Sequence, residues 1–121
     1  MDMTDEEKKL VRAALDSYST AALSVAYYPD RGSNLYYPAL GLGGETGEVL
    51  EKIKKLLRDK QGVVTDEFRE ALKKELGDVL WYMSALCEEA GIRLGDVAVG
   101  NIEKLLDRRD RGVLGGSGDN R

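Results

Sequence analysis

The sequence contains no histidine and a single cysteine, Cys87. The first absence excludes a Ser-His-Asp triad, a Cys-His pair, His-ligated zinc and Glu-x-x-His di-iron sites. The second excludes an internal disulfide and cysteine-based zinc fingers. Any metal must be held mostly by oxygen, which selects hard cations: Mg²⁺, Mn²⁺ or Ca²⁺. The 18 Lys and Arg are outnumbered by 22 Asp and Glu, a net charge of −4, so the basic surface of a nucleic-acid-binding module is missing. No apolar run approaches the ~18 residues that span a membrane. The leading residues Met1-Asp2-Met3-Thr4-Asp5-Glu6-Glu7 are acidic where a secretion signal is basic and then apolar. A cytoplasmic protein is expected, with no nucleic-acid or membrane partner. Nothing matches a P-loop, and the glycines between Gly41 and Gly47 do not fit the dinucleotide fingerprint.

Only Pro29 and Pro38 interrupt the 121 residues, and the periodicity is helical nearly throughout. Thr4 and Glu7 have capping-box spacing, so a first helix starts there. It carries Leu10, Ala14, Tyr18, Ala21 and Val25 inward and ends near Tyr28, before the loop residues Pro29 to Asn34. A second helix runs from about Pro38 to Arg58, with Leu42, Val49, Ile53 and Leu56 on its apolar side. Gly41, Gly43, Gly44 and Gly47 each cost it ~1 kcal/mol relative to alanine, which implies close approach of another backbone or a ligand. A third helix spans Thr65 or Asp66 to Ala90, with Phe68, Leu72, Leu76, Val79, Met83 and Leu86 inward and Gly91 as its stop. A fourth spans Asp96 to Arg109, with Ala98, Ile102 and Leu105 inward. The expected fold is an all-α four-helix bundle over residues 1–111. A glycine-rich tail, 112–121, is flexible by composition. A chain this small buries a limited core, and the long third helix invites docking with a second copy.

Two acid pairs stand out, Glu45-x-x-Glu48 and Glu75-x-x-Asp78. Spacing alone means little, since Asp2/Asp5, Glu48/Glu51, Glu67/Glu70 and Asp107/Asp110 share it. Position separates the two. In Leu42, Glu45, Val49, Lys52, Leu56 and in Leu72, Glu75, Val79, Tyr82, Leu86, the steps are 3, 4, 3, 4. A glutamate interrupts each apolar stripe. An unpaired buried carboxylate is expensive, so it is paired, neutralised or metal-bound. Four carboxylates from two facing helices make an all-oxygen cage that divalent cations relieve, Mg²⁺ first and Mn²⁺ as substitute. The competing reading is a salt-bridge network with Lys52, Lys55 or Arg58.

The order and spacing of these pairs resemble the signature of the MazG-like all-α nucleoside triphosphate pyrophosphohydrolases. The flanking Tyr37-Pro38-Ala39-Leu40-Gly41-Leu42-Gly43-Gly44, Thr46-Gly47-Glu48-Val49 and Glu75-Leu76-Gly77-Asp78-Val79-Leu80-Trp81-Tyr82 are similar as well. So are Asn101-x-x-Lys104 and Arg108. The resemblance implies Mg²⁺-dependent cleavage of a nucleoside triphosphate between its α- and β-phosphates, releasing a nucleoside monophosphate and pyrophosphate. It implies metal ligation by Glu45, Glu48, Glu75 and Asp78, with Glu45 or Glu48 as general base. It also implies a homodimer or homotetramer with sites shared between subunits, and nucleotide contacts from Asn101, Lys104 and Arg108.

Lys52 and Lys55 continue the first acid stripe, where they reach phosphates or simply pair along the helix. Tyr82 lies seven residues beyond Glu75 and either stacks on the base or fills the helix interface. Tyr36 and Tyr37 are further candidates for the base pocket. Trp81 points to packing or a subunit contact, and Cys87 to inert core. The alternative function is a catalytically inactive helical interaction module of the same fold.

Overall fold

A computed structural model describes residues 2–121, and all regular structure among them is helical: α1 (Asp5–Leu23), α2 (Tyr36–Lys60), α3 (Asp66–Ala90) and α4 (Leu94–Asp110). Among the helices, α2 packs only on α3, with which it forms a helical hairpin. α1 packs mainly on α4, and α3 joins the two pairs by also contacting α1.

The caps follow sequence chemistry. Thr4 accepts from the Glu7 amide at 3.1 Å while Glu7 accepts from the Thr4 amide at 3.0 Å, the reciprocal capping box. The Thr65 hydroxyl accepts from the Phe68 amide at 3.1 Å. Gly91, at φ 70°, stops α3 in the left-handed conformation that glycine adopts at least cost.

α1 ends at Leu23, five residues before the expected stop near Tyr28. Its last carbonyls are taken by other donors. Trp81 Nε1 donates to Ala22 O at 2.9 Å, and Ser24 Oγ donates to Ala21 O at 2.6 Å. With those acceptors engaged, the chain leaves the helix. Val25 and Leu10, both expected inward, are 72% and 68% exposed. The covered side of α1 runs instead through Val11, Leu15, Tyr18 and Ala22 to the buried Leu23. Leu105, likewise expected inward, is 43% exposed, and Leu76 is 49% exposed. The inward residues of α4 are Leu94, Gly95 and Val99, followed by the half-buried Ile102 and Leu106.

Gly95 explains how α1 and α4 come so close. A methyl group there would sit 2.7 Å from both Cα and O of Arg12. The Gly95 amide also donates to Asp16 Oδ1 at 2.9 Å. The α2 glycines behave differently. Only Gly41 meets a neighbour, the ring of Tyr82, whereas Gly43, Gly44 and Gly47 face open space. Gly43 and Gly47 belong to a second α2 stripe, Tyr36, Leu40, Gly43, Gly47, Leu50, Leu57, left largely uncovered among the described residues. Its large members are 64–79% exposed.

The tail folds back on α4. Lys104 Nζ and Arg108 Nη2 reach Asp119 Oδ1 at 3.2 and 3.1 Å. Because the obstacle at Gly95 is backbone, no rotamer change relieves it, so Gly95→Ala is expected to cost about 1–3 kcal/mol. Urea unfolding monitored by circular dichroism measures this; an unchanged midpoint would contradict the close approach.

Candidate functional site

The acid-bearing stripes of α2 and α3 face each other. Leu42, Glu45, Val49 and Lys52 are half-buried and Leu56 is buried. Leu72, Glu75, Val79, Tyr82 and Leu86 are half-buried opposite them. Carboxylate oxygens of Glu45, Glu75 and Asp78 all lie within 4.8 Å of one another. Asp78 sits exposed at the seam's edge. Glu48 is also exposed and stands outside that group, though its charge acts on Glu45.

Burial pushes the Glu45 carboxyl above its usual range, and the neighbouring charges of Asp78, Glu75 and Glu48 push it further. The nearest counter-charge is Lys52, whose Nζ lies 3.6 Å from Glu75 Oε1. Three carboxylates thus share one ammonium. The repulsion left over is what a divalent cation would relieve, and an all-oxygen donor set without histidine fits magnesium or manganese.

Tyr82 links this cluster to an aromatic cavity. Its ring lies over the bare Gly41 backbone. Burial, followed by the influence of Tyr37, Glu45 and Asp78, holds its phenol protonated beyond the usual range. Tyr37 stacks on Tyr28 with centroids 4.9 Å apart and planes 7° from parallel, and lies 6.4 Å from Tyr82. These rings, with Val25, Tyr27, Pro29 and Trp81, line a cavity of about 400 Å³. Tyr37 therefore does line the aromatic pocket, while Tyr36 belongs to the uncovered outer stripe of α2. Trp81 serves as packing, against the cluster of Leu23, Tyr28 and Ala85.

Glu89 escaped the sequence reading. Its carboxylate accepts from Tyr28 Oη at 2.6 Å, the Gly32 amide at 2.8 Å and the Asn34 amide at 3.2 Å. These donors hold its pKa down. Glu89 thereby fixes the α1–α2 loop that carries Tyr28 to its stack with Tyr37. In sequence it is one of two acids at a helix end, indistinguishable from a solvated charge. Tyr18, read from sequence only as an inward residue of α1, is half-buried there and close enough to Asp78 to be influenced by that charge.

Other candidates lie elsewhere. Lys55 is directed at Glu51, 3.8 Å away, and with Lys52 lines a separate cavity of about 350 Å³ near the hairpin turn. Asn101 is exposed, while Lys104 and Arg108 engage Asp119. Since α4 makes no contact with α2 among the described residues, these three are not packed against the acid-bearing face of α2. Cys87 is half-buried and burial raises its thiol pKa, consistent with inert packing.

A family model described as the MazG nucleotide pyrophosphohydrolase domain matches residues 38–113. The chain is 47% identical over 112 residues to the Gene 37 protein of Mycobacterium phage L5, covering 88% of this chain and 98% of that protein. No solved structure gives a significant match. No helix among the described residues is long and apolar enough to cross a membrane.

The raised Glu45 pKa has a definite consequence for the metal-free protein. Its stabilising effect belongs to the protonated form, so it is present below the unfolded pKa of 4.5 and lost as pH rises through the higher folded value. Glu45→Gln in EDTA is therefore expected to gain melting temperature relative to wild type between pH 4 and 8. A constant difference across that range, or a deficit growing with pH, would contradict the burial and repulsion described.

Proposed function

The chain belongs to the MazG nucleotide pyrophosphohydrolase family, and from that premise we propose that it is a Mg²⁺-dependent nucleoside triphosphate pyrophosphohydrolase. It cleaves between the α- and β-phosphates and yields a nucleoside monophosphate and pyrophosphate. The observation that carries this reading is the convergence of Glu45, Glu75 and Asp78 on one point of the α2–α3 seam.

Glu45, Glu75 and Asp78 hold the cation, with Glu48 one turn along α2 as a further ligand. Magnesium, when bound, neutralises the triphosphate and polarises the α-phosphorus. Glu45 or Glu48 takes the proton of the attacking water, Glu45 being favoured as the half-buried member of the pair. Tyr82 and Tyr37 offer a stacking surface for the base beside the acids. Lys55, Asn101, Lys104 and Arg108 supply cations and donors for phosphate or sugar, Asn101, Lys104 and Arg108 from α4.

A homodimer or higher oligomer is part of the proposal. The chain exposes 8487 Å², about 2,000 Å² more than the ~6,450 Å² that a compact 13.3 kDa monomer exposes. Burying that excess on each of two copies matches an obligate interface. The bare stripe of Leu40, Gly43, Gly47, Leu50 and Leu57 has the period of a helix-packing seam.

The Lys52–Glu75 pair supports the second reading, an inactive helical interaction module in which lysine replaces metal. Turnover separates the two. Incubation with a panel of canonical and modified nucleoside triphosphates and MgCl₂ should release monophosphate and pyrophosphate from at least one. Glu75→Gln should reduce this by at least 100-fold without unfolding the chain. Full turnover in that variant would reject the assignment. Separately, sedimentation should show an oligomer at micromolar concentration, with Leu50→Glu/Leu57→Glu shifting it toward monomer. A wild-type monomer would reject the covered stripe.

A further inference from the structure

The last ten residues are a built structure. Arg121 donates to the carbonyls of Val113, Leu114 and Gly118, and Arg111 Nη2 holds the carbonyl of Arg121 at 2.7 Å. Gly116 and Gly118, both at φ 86°, take backbone conformations that side chains disfavour. The loop so closed lies on α4. Arg108 is 4% exposed, unusual for a guanidinium. Its Nη2 alone serves three tail acceptors: Gly118 O at 3.4 Å, Asp119 O at 3.0 Å and Asp119 Oδ1 at 3.1 Å. Its Nε is buried without any partner. Lys104 Nζ shares the same Asp119 oxygen at 3.2 Å. Two cations therefore converge on one carboxylate oxygen, and a buried donor remains unused.

A guanidinium binds carboxylates and phosphates best through two parallel hydrogen bonds, and the Asp119 carboxylate gives Arg108 only one. A phosphate group has oxygens enough for Lys104 and for both Nη2 and Nε of Arg108. We propose that Asp119 is a tethered stand-in for a phosphate group: the tail latches the α4 anion site, and a phosphate-bearing ligand must displace Asp119 to reach Lys104 and Arg108. This rests on the reading of those two residues as phosphate contacts. The tether gives Asp119 an effective concentration on the order of millimolar, so weakly bound anions leave the latch closed. A polyphosphate, with several charges, opens it.

Pyrophosphate titrated calorimetrically into the full, metal-free chain in EDTA tests the latch. Asp119→Asn keeps the shape and removes the charge, and should bind pyrophosphate at least fivefold more tightly than wild type. Adding Lys104→Gln to that variant should abolish the gain. Equal or weaker binding by Asp119→Asn, or a gain that survives Lys104→Gln, would overturn the proposal. A second readout is trypsin cleavage after Arg111 in wild type. Pyrophosphate should accelerate it by freeing the tail; unchanged or slower cleavage would also overturn the latch. Neither metal nor turnover enters these measurements. The predicted gain in a chain that hydrolyses nothing would keep the latch and reject the hydrolase, and the reverse result would reject the latch alone.

Discussion

Repulsion among carboxylates set into an apolar helix seam is the constraint on which the rest of the molecule depends. Apart from Lys52, the other positions of the two facing stripes are filled by apolar or aromatic residues that pack. Glu45 and Glu75 stand where leucines would stabilise the hairpin, and Lys52 compensates only one of them directly. Buried charges without full compensation cost stability. A fold tolerates them where an ion or substrate relieves them, which is why we propose this seam as the functional centre.

The surroundings lock together beside that seam. Glu89 gathers three donors from Tyr28, Gly32 and Asn34, so the α1–α2 loop is anchored on α3 rather than left to wander. The anchored loop delivers Tyr28 and Tyr37 beside Tyr82. Tyr82 in turn rests on the bare backbone of Gly41. A chain of fixed contacts thus runs from a surface carboxylate to an aromatic cavity beside the acids. Elsewhere, α4 is held to α1 by the Gly95 crossing and carries Lys104 and Arg108 on the side the tail covers.

Much of this was legible in sequence. Capping chemistry located the start of α1 and both ends of α3, because Thr4, Thr65 and Gly91 act locally. The acid stripes were legible because a charge in a 3, 4, 3, 4 apolar repeat is conspicuous without tertiary knowledge. The end of α1 was not, since it is set by Trp81, a donor 59 residues away from Ala22. Leu10, Val25 and Leu105 were misplaced because apolar residues on two adjacent stripes leave the covered side undecided until a partner helix chooses it. The α2 glycines pointed to close approach by another backbone or a ligand. Only the structure separates Gly41, whose neighbour is Tyr82, from Gly43 and Gly47, which face open space. The tail's composition suggested mobility, but Arg111 and Arg121 turn its glycines into a closed loop that composition alone does not reveal.

The most direct test of the central claim is diffraction from crystals grown with manganese, collected at the metal's absorption edge. The account predicts an anomalous peak between α2 and α3, within coordination distance of Glu45, Glu75 and Asp78, with the Lys52 ammonium withdrawn from Glu75. A map with no peak there and an intact Lys52–Glu75 pair would contradict it.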